Sequence, residues 1–170
     1  MFQRTKRKGA IGAYLTLLLC CALIISSVLV APSTAEAAGK KEQIDKLIQD
    51  WQNRYGGSSY WKLNEPSEEE IQRAIKSNVE YHALPQRGHI SQNKALRYAV
   101  EAVLRKYDLT PSGLTPYWPQ FSFIVDKNGK PYWQIMFRVD PQAHKMLKTI
   151  TVQIDAISGN VRAIRQGNDG

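Results

Sequence analysis

Three histidines, His82, His89 and His144, are the side chains of this sequence best suited to proton transfer or metal ligation. None stands in an H-E-x-x-H pattern or at another close ligand spacing, so surface or loop positions are expected for all three. Structural zinc would need thiolates, and both cysteines, Cys20 and Cys21, fall within an apolar amino-terminal run. Ser58, Ser59, Ser91, Ser112 and Ser158 lack the G-x-S-x-G setting that exposes a nucleophile. No Gly-rich phosphate loop follows a strand pattern. The acidic cluster Glu68, Glu69 and Glu70 sits at an expected helix start, where capping and the helix dipole account for it. Asp126 and Asn128 resemble a fragment of a calcium loop, but the other ligands are missing and a hairpin turn is the better reading. The chain is therefore expected to be non-enzymatic, with no catalytic or metal-binding residues and no cofactor.

The elements that would position any site begin after an export signature. Arg4, Lys6, Arg7 and Lys8 precede an uncharged run over residues 11–30, and Ala35 and Ala37 fit an A-x-A cleavage site. Residues 1–37 are expected to be a signal peptide cut after Ala37. The run is also long enough to cross a bilayer, so an uncleaved amino-terminal anchor is the alternative. Both readings place the bulk of the chain outside the cytoplasmic membrane, secreted or extracytoplasmic. Without Cys20 and Cys21 the remainder must hold its core without disulfides. Arg4, Lys6, Arg7, Lys8 and Glu36 leave with the segment, so the net charge of +8 falls to +5. That suits contact with anionic wall polymers or lipid headgroups, and export makes nucleic acid an unexpected partner.

Beyond the signal, Ile44, Leu47, Ile48, Trp51 and Tyr55 fall at helical spacing, predicting an amphipathic helix over 40–55 that Gly56 and Gly57 end. Ser67 with Glu70 three residues on forms a capping box for a second helix over 68–79, with Ile71, Ala74, Ile75 and Val79 on one side. Residues 81–89, with Pro85 and Gly88, read as a connection. Ser91 caps the strongest helix, whose stripe is Ala95, Leu96, Ala99, Val100, Val103 and Leu104. Pro111, Pro116 and Pro119 exclude regular structure from the next connection. Residues 120–140 then predict a β-hairpin around Asp126, Asn128 and Gly129, with Trp133, Ile135, Phe137 and Val139 on one face of its second arm. A third strand presents Ile150, Val152 and Ile154 to the core, and Ser158 with Gly159 turns the chain into a short last strand. The expected class is α+β: an antiparallel three- to four-stranded sheet covered by an amphipathic helix, with extra N-terminal helices.

The local words ISQNKALRYAV, YWQIMFRV and VQIDAISGNV, in this order, resemble a PepSY domain over residues 90–164. The last word is similar to the family's strand, Asp-Ala, turn glycine and hydrophobic restart, carried by Ile154, Asp155, Ala156, Gly159 and Val161. The resemblance implies an inhibitory, chaperoning or protein-binding role outside the membrane, as in propeptides of thermolysin-like metallopeptidases and regulators of cell-wall hydrolases. It implies no catalysis. No peptidase domain follows in this sequence, so a propeptide role within the same chain is not expected.

The organisation expected is a signal peptide or anchor over 1–37, a helical extension over 38–89, a PepSY-like domain over 90–165 and a tail over 166–170. The function expected is binding or inhibition of a secreted peptidase or cell-wall hydrolase. The alternative is a basic envelope-associated module using Lys145, Lys148, Arg162 and Arg165 on anionic polymer or lipid. Aromatic residues are the lead for partner contact, since they are common at interface centres. From the set Tyr117, Trp118, Phe121, Tyr132 and Trp133, the candidate contacts are Tyr117, Trp118 and Tyr132, joined by Arg162. Asp155 and Gly159 are read as structural residues of the last turn.

Overall fold

The structure, a computed structural model, describes residues 34–57, 61–114 and 119–167. The export-like run and the candidate contacts Tyr117 and Trp118 lie outside the described residues. Two compact units are distinguished, Met1–Gly39 and Lys40–Gly170. Of the first, only the opening turns of a helix from Thr34 are described. Among the described residues no helix is long and apolar enough to cross a membrane.

Helix α1 (Thr34–Tyr55) starts upstream of the expected position and buries Ile44, Leu47, Ile48 and Trp51, one face at helical spacing. Helix α2 (Glu68–Lys76) opens on the expected capping box: Ser67 Oγ accepts from the Glu70 N–H at 3.3 Å, and Glu70 Oε2 accepts from the Ser67 N–H at 2.8 Å. It ends three residues early, because Asn78 takes a left-handed φ of 54° that the helix cannot contain. No residue of α2 is buried, and Ile75 and Val79 are 53% and 51% exposed.

Helix α3 (Gln92–Tyr107) begins directly after the expected cap, with Ser91 Oγ accepting from the Lys94 N–H at 3.3 Å and a left-handed Asp108 ending it. The predicted stripe Ala95, Leu96, Ala99, Val100, Val103 and Leu104 is fully buried. The proline-rich connection, expected to be irregular throughout, contains a short 3₁₀ turn at Pro111–Leu114 whose Leu114 is buried.

Five strands follow one another in sheet order, all antiparallel: β1 (Tyr81–His82), β2 (Gln120–Val125), β3 (Pro131–Arg138), β4 (Thr149–Asp155) and β5 (Val161–Gly167). The expected three or four strands are thus corrected to five. The addition is β1, inside the stretch read as a connection. Two residues cannot show alternation, and their pairing depends on partners about 40 positions away, Tyr81 opposite Val125 and His82 opposite Ile124.

The core lies between one sheet face and the helices. Phe123, Trp133, Ile135, Phe137, Ile150, Val152 and Ile154 meet the α3 stripe and the buried side of α1 in one cluster. Each fully buried Leu, Ile, Val or Phe there contributes on the order of 1.5–3 kcal/mol. An Arg97–Asp45 ion pair joins α3 to α1. The segment 40–89 therefore shares its core with 90–165 and supplies an edge strand to the same sheet.

Candidate functional site

At one end of the sheet, charged groups gather on the face away from α3. Strand β4 carries Asp155 there and β3 places Tyr132 directly opposite it. The pairing of β4 with β5 slips between Gln153 and Ile154, where Gln153 faces Ala163 and Ile154 faces Val161. Arg162 is the unpaired residue of this bulge, and the bulge turns it onto the Tyr132 face. Its guanidinium donates to Asp155 Oδ2 from Nε at 3.1 Å and from Nη2 at 2.9 Å, and to Asp126 Oδ2 from Nη1 at 3.2 Å. It also lies 5.1 Å from the centre of the Tyr132 ring. Tyr132 Oη donates to Glu80 at 3.0 Å.

The arrangement ties two turns together. Asp126 Oδ1 accepts from the N–H groups of Asn128 and Lys130, both at 2.9 Å, and so closes the β2–β3 hairpin. Asp155 Oδ1 accepts from the Ile157 N–H at 3.1 Å, the Ser158 N–H at 2.8 Å and the Ser158 hydroxyl at 3.0 Å, and so closes the β4–β5 turn. The Ser158 N–H is the chief reason the Asp155 carboxyl falls to about 2; burial opposes it, and Arg162, the Ser158 hydroxyl and the Ile157 N–H add to it. Burial would raise Asp126, but Lys130 and Asn128 N–H groups and then Arg162 hold it below the usual range. Burial, with the Glu80 hydrogen bond, pushes the Tyr132 phenol up to about 12. Tyr132 is only 3% exposed and the Arg162 side chain 22%. Both are held by internal partners, Tyr132 by Glu80 and Arg162 by Asp126 and Asp155.

Gly159 has φ of 78°, and a Cβ there would stand 2.5 Å from the Tyr98 ring of α3. The turn is thus pressed against the helix, and Ala156 accepts the Ile90 N–H at 2.8 Å just before α3 begins. Trp133 completes that junction, its indole N–H donating to the Ile90 carbonyl at 3.0 Å. This candidate aromatic is a core residue.

A second region lies at the β1 edge of the sheet. The Ala83 N–H donates to the Phe123 carbonyl at 2.9 Å, so Phe123 turns its backbone toward that edge. By the strand's two-residue period Phe121 does the same. β1 places no residue opposite Phe121, because Pro85, which would reach it, has no N–H to give. A cleft of about 370 Å³ opens beside this stretch, between β2 and the segment leading into α2, with Leu63, Ile71, Phe121 and Phe123 in its walls. An adjoining depression of about 750 Å³ continues past Leu84 and Pro85 to Ile157. Phe121, singled out in the sequence, also meets Trp61 edge-on at 5.0 Å.

His82 and His89 border these clefts, while His144 lies on the loop before β4. His89 Nδ1 accepts the Gln86 N–H at 2.9 Å and its ring sits 5.2 Å from Phe123. Among the described residues no cluster of three or more His, Cys, Asp or Glu could hold a metal ion. Lys145, Lys148 and Arg165 are exposed, whereas Arg162 is neutralised by its two aspartates. Glu80 and Leu63 were not singled out from the sequence, and no local pattern marks them; only the approach of distant strands gives them a role.

Comparison with family models, with curated proteins and with solved structures finds no match for this chain.

Proposed function

We propose that this chain is a non-enzymatic, extracytoplasmic PepSY-like protein that binds and inhibits a secreted peptidase or cell-wall hydrolase by holding an extended segment of it against the β1–β2 edge. The observation that carries this reading is the early end of β1 beside a cleft whose wall includes Leu63, Ile71, Phe121 and Phe123. Backbone groups of β2 beyond Ala83 face that opening, and an added strand would supply the hydrogen bonds β1 does not. The resemblance over residues 90–164 and the export-like start support the compartment and the class of partner.

The test is a photo-crosslinking residue at His82, at the exposed end of β1, with a control on the outer side of α3 at Arg105. The full chain is exposed to secreted and envelope fractions at two salt concentrations, and proteins crosslinked at His82 are identified and assayed with and without the chain. A peptidase or wall hydrolase crosslinked at both salts and slowed by the chain is the expected result. Equal labelling from Arg105, or a captured enzyme of undiminished activity, would refute the proposal. Retention of wall material or lipid alone, lost at high salt, would put the Lys145, Lys148 and Arg165 surface in its place.

A further inference from the structure

The two clefts at the β1–β2 edge differ in charge from the chain that forms them. The protein has 23 Lys and Arg against 15 Asp and Glu, yet no Lys or Arg lines either cleft. Glu65 and Glu70 line the first, and Glu65 and Glu68 the second. The Ser67 N–H and hydroxyl hold the Glu70 carboxyl below its usual range, which keeps it anionic through mildly acidic conditions. Ile71, Phe121 and Phe123, together with Leu63, form the apolar part of the wall beside these carboxylates, and Asn64, His82 and Ser122 its polar part.

We infer that the segment taken by this edge is a basic, apolar one, with aliphatic side chains toward Phe121 and Ile71 and lysine or arginine toward Glu65 and Glu68. This rests on the edge-docking reading above and adds the chemistry of the bound segment. An extended chain presents successive side chains to opposite sides. A strand laid beside Phe121 would then offer one set to Phe121 and Ile71 and leave the other for the carboxylates of residues 65–70. The volume of about 370 Å³ lies within the range of sites that bury small-molecule-sized groups, so a few side chains fill it. An acidic segment would face three carboxylates with no Lys or Arg in the lining, Arg73 acting on Glu70 from outside it and already paired with Glu69.

The test uses the full-length chain in mild detergent and two fluorescent octapeptides, one alternating Val with Lys and one alternating Val with Glu, read by anisotropy. The Val-Lys peptide is expected to bind at least about tenfold more tightly, a difference of about 1.4 kcal/mol. Glu65→Gln with Glu68→Gln should abolish that preference, and Glu65→Lys with Glu68→Lys should reverse it; both sites are exposed. Equal binding of the two peptides, or a preference unmoved by either pair of substitutions, would overturn the charge assignment while leaving edge docking in place. Binding of neither peptide at millimolar concentration would overturn edge docking itself, and the assignment with it.

Discussion

Replacing Asp155 with Asn removes one charge and almost no volume, and it isolates what holds the β4–β5 turn to the hairpin. Asn keeps an oxygen for the Ile157 and Ser158 donors at the position of Oδ1 but leaves Arg162 facing an amide where it now has a carboxylate at 2.9 Å. The native carboxyl titrates at about 2 against an ordinary 3.8. At about 1.4 kcal/mol per unit, the difference sets an upper bound of roughly 2.5 kcal/mol near neutral pH. The side chain is 24% exposed, and solvent screening brings the expected loss to about 1–2 kcal/mol. Because the folded-state value is depressed, this stabilisation is complete above the ordinary value of 3.8 and is lost as pH falls toward about 2. By pH 3 roughly half of it remains. Urea unfolding of the full chain in detergent, followed by tryptophan fluorescence at pH 7, 4 and 3, should therefore show the gap between native and Asp155→Asn protein narrowing with acid. Asp126 is depressed in the same direction, so both proteins weaken on acidification, but only the native one loses the Asp155 contribution. A gap that is constant or widens toward pH 3 would refute the reasoning. Peptide binding at the β1–β2 edge should not change, since Asp155 lines neither cleft there.

Gly159→Ala meets both a positive φ and the Tyr98 ring, and should cost about 2–3 kcal/mol in chemical denaturation. Combined with Tyr98→Ala, the two losses should be less than additive, and strict additivity in the double-mutant cycle would deny the contact. Ser91→Ala should lower global stability by about 1 kcal/mol, because α3 is the centre of the core. Ser67→Ala, which uncaps a helix with nothing buried, should instead speed amide exchange across Glu68–Lys76 with little change in the global transition. Trp51 buries an indole N–H that has no hydrogen-bond partner among the described residues, so Trp51→Phe should be nearly neutral while Trp51→Ala costs about 3–5 kcal/mol by thermal melting.

Most of the architecture was legible where the determinants are local. The α3 stripe repeats at helical spacing, Ser67 and Ser91 announce their helices within three residues, and the Asp126–Gly129 turn closes on its own side chain. Asp155 and Gly159 were recognisable as turn residues for the same reason. The candidate site was less so. Arg162 could be read as a free cation because its aspartates stand 7 and 36 positions away, and Tyr132 as an available aromatic because Glu80 is 52 positions away. Neither carboxylate contact leaves a pattern along the chain.

The sequence by itself determined the main helices and the four longer strands, their caps and turns, and which face of each is apolar, since spacing and side-chain chemistry act within a few residues. Only the tertiary structure decided that Tyr81 and His82 join the sheet, that a bulge in β5 swings Arg162 over Tyr132, and that Gly159 must admit the Tyr98 ring. The acidic-rimmed opening beside Phe121 belongs with these. It exists because β1 ends at His82 while the segment before α2 comes to lie alongside β2, and proximity between residues so far apart in the chain is created only by folding.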